Sequence, residues 1–413
     1  MIRQVAYLAM HSSPLNQPGI GNAGGMNVYV DELATTMASM HIEAVVFTRR
    51  TDPRQTEVVQ PVPGYRVVHI DAGPPQPLPI PDLVSHVGAF GEGIVDWTKR
   101  NRKQFDVVHS HYWLSGWAGV LVKQALGLPL ANSFHTLGRV KDAAHGADEP
   151  QSSAARLRTE DEVIALSDCV VAATPYEFAD LLEHYGASPE RLFVSPPGVN
   201  HRLFTPGDRG SARLRIGLGS EPTVLFVGRI QAHKGIDTAV RALSEIPSTV
   251  AAGEGETQLV VVGGPSGEGG AAEVDHLHNL AVDLGLSERV HFVPPQPHDQ
   301  LADFYRAADV LVMPSRSESF GLVAVEAQAC GLPVVAARVG GLAYAVADTE
   351  SGLLVEGHEP KSFAAAIIAI LDHPEFGAEL AGGAARFANR FSWPAAADRF
   401  RDLYQDMARG ARR

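Results

Sequence analysis

Short apolar runs bounded by Gly, Pro, Ser or Asp alternate along this chain with longer stretches of helix formers. In the first half the runs predict strands at Val5–Met10, Glu43–Phe47, Tyr65–Ile70, Asp106–His109, Leu128–Ser133, Cys169–Ala173 and Leu192–Val194. Helices are expected near Val28–Met40, Leu83–Lys99, Leu114–Ala125, Ser153–Ser167 and Glu177–Tyr185. Between about Ser195 and Glu221 the texture turns to loop, with SPPGVN and TPGDRG. The pattern then restarts, with strands at Val224–Val227, Gln258–Val262, Val290–Val293, Val310–Met313 and Pro333–Ala336. Helices fall between them and near Gly340–Ala347, Lys361–Leu371 and Trp393–Met407. Alternation of this kind predicts parallel sheets covered on both faces. The chain therefore reads as α/β with two Rossmann-like, doubly wound domains at 1–200 and 201–390, followed by a C-terminal segment, 391–413.

The candidate chemistry sits on loops that leave the carboxyl ends of these strands, where open α/β sheets bind ligands. The most informative stretch is ADVLVMPSRSESFGLVAVEAQACG, 308–331: a strand, a polar loop, then helix formers from Phe320 ending at Gly331. The N–H groups of Phe320, Gly321 and Leu322 would face a diphosphate. Glu318 would accept hydrogen bonds from sugar hydroxyls, and Glu326 from a ribose. In GRIQAHKG, Arg229 and Lys234 place two cations on one loop of a chain with only six lysines, a pairing suited to a diphosphate leaving group. Gly263 and Val339-Gly340-Gly341 extend the row of glycine-bearing loops. In HSSPLNQPGIGNAGGMN, 11–27, the spacing does not fit a dinucleotide fingerprint. Gly24 and Gly25 are expected against the donor pyrophosphate, with Asn27 directed at the acceptor. HSHYW, 109–113, and FHT, 134–136, bring His135 towards a sugar hydroxyl and Tyr112 and Thr136 towards the acceptor.

Composition narrows the function classes. With 34 basic and 47 acidic side chains the net charge is −13, which argues against a nucleic-acid partner. Two cysteines, Cys169 and Cys330, form neither a disulfide framework nor a metal spacing. There is no leader-like opening and no apolar run of membrane-spanning length, so a cytoplasmic protein without an integral membrane segment is expected. The acidic surface is compatible with a monomer or a homodimer.

Taken together, MHSSPLNQPG, GGMNVYV, HSHYWLSG, FHTL, FVGRIQAHKG, VVGGPSG, MPSRSESFGLVAVEAQACG and AARVGGL resemble the family 4 retaining glycosyltransferases over nearly the whole chain. The resemblance implies the GT-B architecture, two Rossmann-like domains facing across a cleft that closes on the substrates, with the last helix crossing back to the first domain. It further implies front-face transfer with retention. Arg229 and Lys234 would hold the diphosphate, Glu318 the sugar and Glu326 the ribose, with His135 on the transferred sugar. Tyr112, Thr136 and Arg156 match acceptor-phosphate positions, and Asn27 lies near the acceptor ring. The implied substrates are small molecules: a nucleotide-sugar donor carrying N-acetylglucosamine, and inositol 1-phosphate as in mycothiol assembly. No cofactor is expected, and without an Asp-x-Asp pair neither is a metal–diphosphate site.

Two positions depart from the family pattern. Ile80 stands where a phosphate-binding lysine would be, and Gln296 where an arginine would cover the nucleobase, leaving UDP and GDP donors both open. A different acceptor, as in antibiotic assembly, is the alternative within the class. A nucleotide-sugar epimerase and a non-catalytic sugar-nucleotide binder are the readings from other classes.

Overall fold

The computed structural model describes residues 2–144, 151–247, 250, 253, 255–266 and 269–411. The chain forms two compact units, one made of Met1–Asn16, Gly25–Gly198 and Trp393–Arg413, the other of Gln17–Gly24 and Val199–Ser392. Among the described residues no helix is long and apolar enough to cross a membrane.

The first unit carries β1 (Gln4–Leu8), β2 (Glu43–Arg49), β3 (Val58–Val62), β4 (Tyr65–Ile70), β5 (Val107–His111), β6 (Leu130–Ser133), β7 (Cys169–Ala172) and β8 (Leu192–Val194). They form one sheet in the order β3-β4-β2-β1-β5-β6-β7-β8. Only β3, an edge strand with Pro61 inside it, runs antiparallel to its neighbour. Side-chain alternation divides the core between the two faces. Val5 and Tyr7 pack with Tyr29, Leu33 and Met37 of helix Gly25–Ser39 and with Trp393, Phe400 and Tyr404 of helix Trp393–Gly410. Ala6 and Leu8 face Phe90, Ile94, Leu114 and Ala118 on the other side. The C-terminal helix thus belongs to the first unit because its apolar stripe completes that face.

The second unit carries β9 (Thr223–Val227), β10 (Gln258–Val262), β11 (Val290–Val293), β12 (Val310–Met313), β13 (Val334–Ala337) and β14 (Gly352–Val355). All pair in parallel, in the order β11-β10-β9-β12-β13-β14. Val224, Phe226, Val261, Val310, Val312 and Val335 form its core with Ile236, Val240, Leu243, Phe363 and Ile367.

The structure corrects several expectations. β5 runs on to His111 because β6 continues the ladder to Ser133. His109 and His111 are therefore fully buried strand residues, and the loop begins only at Tyr112. The helix expected from Phe320 starts at Leu322, since Gly321 takes φ 100° as its N-cap. Helices Arg209–Ile216 and Pro374–Ala388 lie where none was expected. The first is rich in arginine and the second carries three glycines, so both show a diluted apolar pattern.

Candidate functional site

In the second unit the strand order reverses between β9 and β12, and ligands bind outside the carboxyl ends of strands at such a point. β9 ends at Val227, and the chain passes Gly228 and Arg229 into a short turn, Ala232–Lys234. Gly235, at φ 70°, then opens helix Ile236–Ser244. A Cβ at Gly235 would stand 2.2 Å from the Pro314 carbonyl oxygen, so the loops after β9 and β12 meet backbone to backbone. The Arg316 N–H donates to the His233 carbonyl at 2.8 Å. This contact brings together the Lys234 Nζ and the Glu318 Oε2, which pair at 2.6 Å with each side chain 18% exposed.

Beneath Glu318 lies a support that the sequence pattern presented only as one more glycine loop. The Gly341 N–H donates to the Glu318 carbonyl at 2.7 Å. A Cβ on Gly341 would fall 2.3 Å from both Phe320 Cα and the Ser319 oxygen, and one on Gly340 would fall 2.5 Å from the Glu318 oxygen. Segment 338–341 therefore sets the height of the loop that carries Glu318.

Phe320 is buried, and Gly321 and Leu322 open an eight-residue helix whose first-turn N–H groups point out of the sheet edge. Glu326, on that helix and 5% exposed, accepts from the Tyr305 hydroxyl at 2.8 Å. The His298 Nε2 lies 3.7 Å from its other oxygen. Gln296, half-buried, donates from Nε2 to the Pro294 carbonyl at 2.8 Å. Gly263 is crowded by Gly228, whose oxygen would be 1.8 Å from a Cβ. Its glycine is thus required by the packing of β9 against β10, whatever else it touches.

Residues Gln17–Gly24 complete the second unit. Gln17 donates to the Pro295 carbonyl at 3.1 Å, and Ser266 to the Gly21 carbonyl at 2.8 Å. Gly24 faces Arg229, whose Nε would be 3.2 Å from a Cβ there. Arg229 Nη1 also reaches the Ser266 hydroxyl at 3.5 Å.

In the first unit the strand order reverses between β1 and β5. Tyr112, at φ 79°, caps helix Trp113–Leu126 and donates its N–H to Ser133 at 2.8 Å. The Arg156 guanidinium lies 5.4 Å from the Tyr112 ring centre. Its Nη2 donates to the Thr136 carbonyl at 2.9 Å and its Nε to Glu160 at 2.8 Å. Glu160 has no exposed surface and also accepts from the Gly138 N–H and, at 2.5 Å, from the Tyr185 hydroxyl. A buried carboxylate with three donors around its two oxygens, the Gly138 N–H shared between both, holds Arg156 rigidly. The Arg156/Glu160 spacing on one helix was legible in the sequence, whereas the Gly138 and Tyr185 contacts were not.

Asn27 does not stand exposed towards a ligand. It is 1% exposed, and its amide donates to the Ser12 hydroxyl at 2.7 Å and the Ser13 carbonyl at 2.6 Å, bracing the loop after β1. Gly25 is the first residue of helix Gly25–Ser39. Ile80 opens the short helix Ile80–Leu83 and packs on the core, so its place has an apolar role. The loop before it is held by buried Arg49, which donates to the Pro74 and Gln76 carbonyls at 2.7 and 2.5 Å.

His135 adopts φ 59° at the end of β6 and stacks on His111, with His135 Nε2 and His111 Nδ1 2.9 Å apart. Burial pushes the imidazole down to about 3, so the ring is neutral at pH 7. His109, also lowered to about 3 by burial and by His135, bonds the Tyr404 hydroxyl at 2.6 Å and the Ser133 hydroxyl at 2.9 Å. Both ring nitrogens of His109 are thus taken up by hydroxyl partners. Among the described residues no group of three or more His, Cys, Asp or Glu is arranged to hold a metal ion.

Family models match both halves of the chain. The model described as Glycosyltransferase Family 4 matches residues 23–203, and that described as Glycosyl transferases group 1 matches residues 213–386. A D-inositol 3-phosphate glycosyltransferase of Catenulispora acidiphila is 47% identical over 97% of this chain and 94% of its own. One from Corynebacterium efficiens is 42% identical, covering 98% and 95%. Among solved structures, the sucrose-phosphate synthase of Thermosynechococcus elongatus superposes with TM-score 0.90 at 33% identity, covering 98% of this chain and 99% of that one. Anabaena HepE, solved with UDP and glucose, shares the fold at TM-score 0.76 and 20% identity, over 98% of this chain and all of its own. The chain belongs to glycosyltransferase family 4.

Proposed function

We propose that the protein transfers N-acetylglucosamine from a UDP-sugar to inositol phosphate, with retention at the anomeric carbon. The observation that carries the acceptor is the cradle of Tyr112, Thr136 and Arg156, with Arg156 anchored on buried Glu160. A fixed guanidinium beside a hydroxyl and a phenol suits a phosphate monoester. The names of the relatives, D-inositol 3-phosphate glycosyltransferases at 42–47% identity, supply the ring that would bear it. For the donor, the second unit offers Arg229 and Lys234 to the diphosphate, the helix N-terminus at Gly321 and Leu322 to its oxygens, and Glu326 to the ribose. HepE, solved with UDP, supports a uridine nucleotide.

In this mechanism the bond from the anomeric carbon to the β-phosphate oxygen breaks, and the electron pair leaves with the nucleotide diphosphate. Arg229 and Lys234 stabilise the charge that grows there. The departing phosphate oxygen takes the proton of the acceptor hydroxyl, whose oxygen then bonds the same face of the anomeric carbon. His135, a neutral ring, hydrogen-bonds the sugar, and Glu318 accepts from its hydroxyls. Lys234 is already paired with Glu318, so donor binding would share the ammonium between the carboxylate and the diphosphate.

One assay tests donor and acceptor together. UDP-N-acetylglucosamine, UDP-glucose and GDP-sugars are each offered with inositol phosphate, free inositol, a hexose phosphate or no acceptor, scoring nucleotide release and product mass. The reading expects UDP release that depends on inositol phosphate and yields N-acetylglucosaminyl-inositol phosphate. Turnover with hexose phosphate alone would instead favour an acceptor like that implied by the sucrose-phosphate synthase name, a reading to which Ile80 and the 33% identity lend weight. Gly341→Ala offers a separate check on the donor side. Lifting the 318–321 loop should raise the donor KM at least about tenfold while the acceptor KM stays within about threefold.

A further inference from the structure

We propose that His111 is a positioning residue that fixes the tautomer of His135, forcing His135 to carry its proton on Nδ1. The inference deepens the reading above, since it is the contact of His135 with the transferred sugar that gives the tautomer its consequence. The proton inventory of two neighbouring rings leads to it.

His111 Nδ1 and His135 Nε2 are 2.9 Å apart, so one of these nitrogens donates and the other accepts. His111 is fully buried and His135 half-buried, and both rings are neutral, held far below the ordinary imidazole range by desolvation, so each carries one proton. Two arrangements satisfy the shared bond. In the first, His135 donates from Nε2, and the single proton of His111 must then sit on its own Nε2. That nitrogen is completely buried and meets no acceptor. An N–H there would be a desolvated donor with nothing to bond, the costlier kind of buried polar group. In the second, His111 donates from Nδ1, its Nε2 is left as a bare lone pair, and His135 Nε2 accepts. The proton of His135 then lies on Nδ1, and that nitrogen is a donor.

The surroundings keep the two rings in place. Tyr7 and Tyr29 pack on His111 at ring separations of 5.9 and 5.7 Å, and Tyr29 meets the His135 ring edge-on at 5.0 Å. His109 lies 4.4 Å from His111, and its two nitrogens are bonded to Tyr404 and Ser133, so it offers His111 no acceptor. With φ 59°, the His135 backbone is held in a conformation uncommon for a side-chain-bearing residue, which fixes where its ring projects. Under this assignment His135 Nδ1 is a hydrogen-bond donor and cannot act as an acceptor.

The test reads the tautomer directly, without substrate. Long-range proton–nitrogen correlation spectra of the histidine-labelled full chain, assigned by His135→Gln and His111→Asn variants, should show His135 with a protonated Nδ1 and unprotonated Nε2 at pH 7.5. A protonated His135 Nε2 in the wild-type protein would overturn the proposal, whether or not the enzyme turns over. His111→Asn places an amide near the same position and should retain most of the donor to His135. His111→Leu removes it and should shift the His135 tautomer signals and lower kcat about tenfold or more with the acceptor KM within about threefold. If His111→Leu leaves the His135 signals unchanged, His111 is not the residue that sets them. If the tautomer is as stated but no sugar is transferred by the wild-type protein, the failure belongs to the proposed function and not to this inference.

Discussion

Arg229→Ala is expected to lower kcat by about two to three orders of magnitude, the loss seen when one preorganised donor to developing charge is removed. Arg229 stands at the carboxyl end of β9, with Gly24 and the Ser266 hydroxyl beside its guanidinium. A cation in that position interacts more strongly with a departing diphosphate than with the esterified one, so kcat and kcat/KM for the donor should fall together. Arg229→Lys keeps the charge but loses the planar fork, and should recover only part of the loss. Lys234→Ala should behave differently, because it also leaves Glu318 without the ammonium it meets at 2.6 Å. Removing one partner of a half-buried pair exposes the other to repulsion from the incoming diphosphate, and Lys234→Ala should therefore raise the donor KM as well. Steady-state kinetics with both substrates varied will separate these outcomes. Equal kcat for Arg229→Ala and the wild type would remove the leaving-group role assigned to β9.

The first unit should lose about 3–4 kcal/mol of stability between pH 7 and pH 5 from three buried groups and half-buried His135 alone. His109, His111 and His135 are held neutral when folded, by burial first. Once unfolded they take up protons as the pH drops below about 6.5. A base whose folded value is depressed makes unfolding proton-binding, so stability declines as the pH falls from about 6.5 towards 3. Glu177 acts in the opposite sense: burial raises its carboxyl to about 7, so the folded state takes up its proton between about 7 and the ordinary glutamate range. Three imidazoles against one carboxyl leave a net uptake of two protons on unfolding in that window. All four tryptophans, Trp97, Trp113, Trp117 and Trp393, lie in the first unit, so their fluorescence follows its unfolding selectively. Urea titrations at pH 7 and pH 5 measure the difference. A flat stability over that interval would mean that the three rings are not buried in neutral form, and the tautomer argument for His135 would fall with it.

The sequence alone determined most of the architecture. Apolar runs bounded by turn residues placed β1, β2, β4 and most of the second sheet, because a strand buried on both faces is apolar throughout and stands out from its surroundings. The same pattern put Arg229, Lys234, Glu318 and Tyr112 on loops at strand ends, since a βα connection emerges there whatever the neighbours are. Helix Pro374–Ala388 and edge strand β3 were not legible: one is diluted by glycine and the other is mostly exposed, so neither shows a clear period.

Only the tertiary structure decided which strand-end residues touch. That Lys234 meets Glu318 follows from β9 lying beside β12, a neighbour relation across more than eighty residues of chain that no local period encodes. The burial of Asn27 in its own loop, the three donors around Glu160, and the crowding that makes Gly341 and Gly263 glycines depend equally on such approaches. Local sequence sets the backbone's preferences residue by residue. Sheet order and close packing then decide which polar groups share a hydrogen bond, because an unmet donor inside a dense core is too costly to leave.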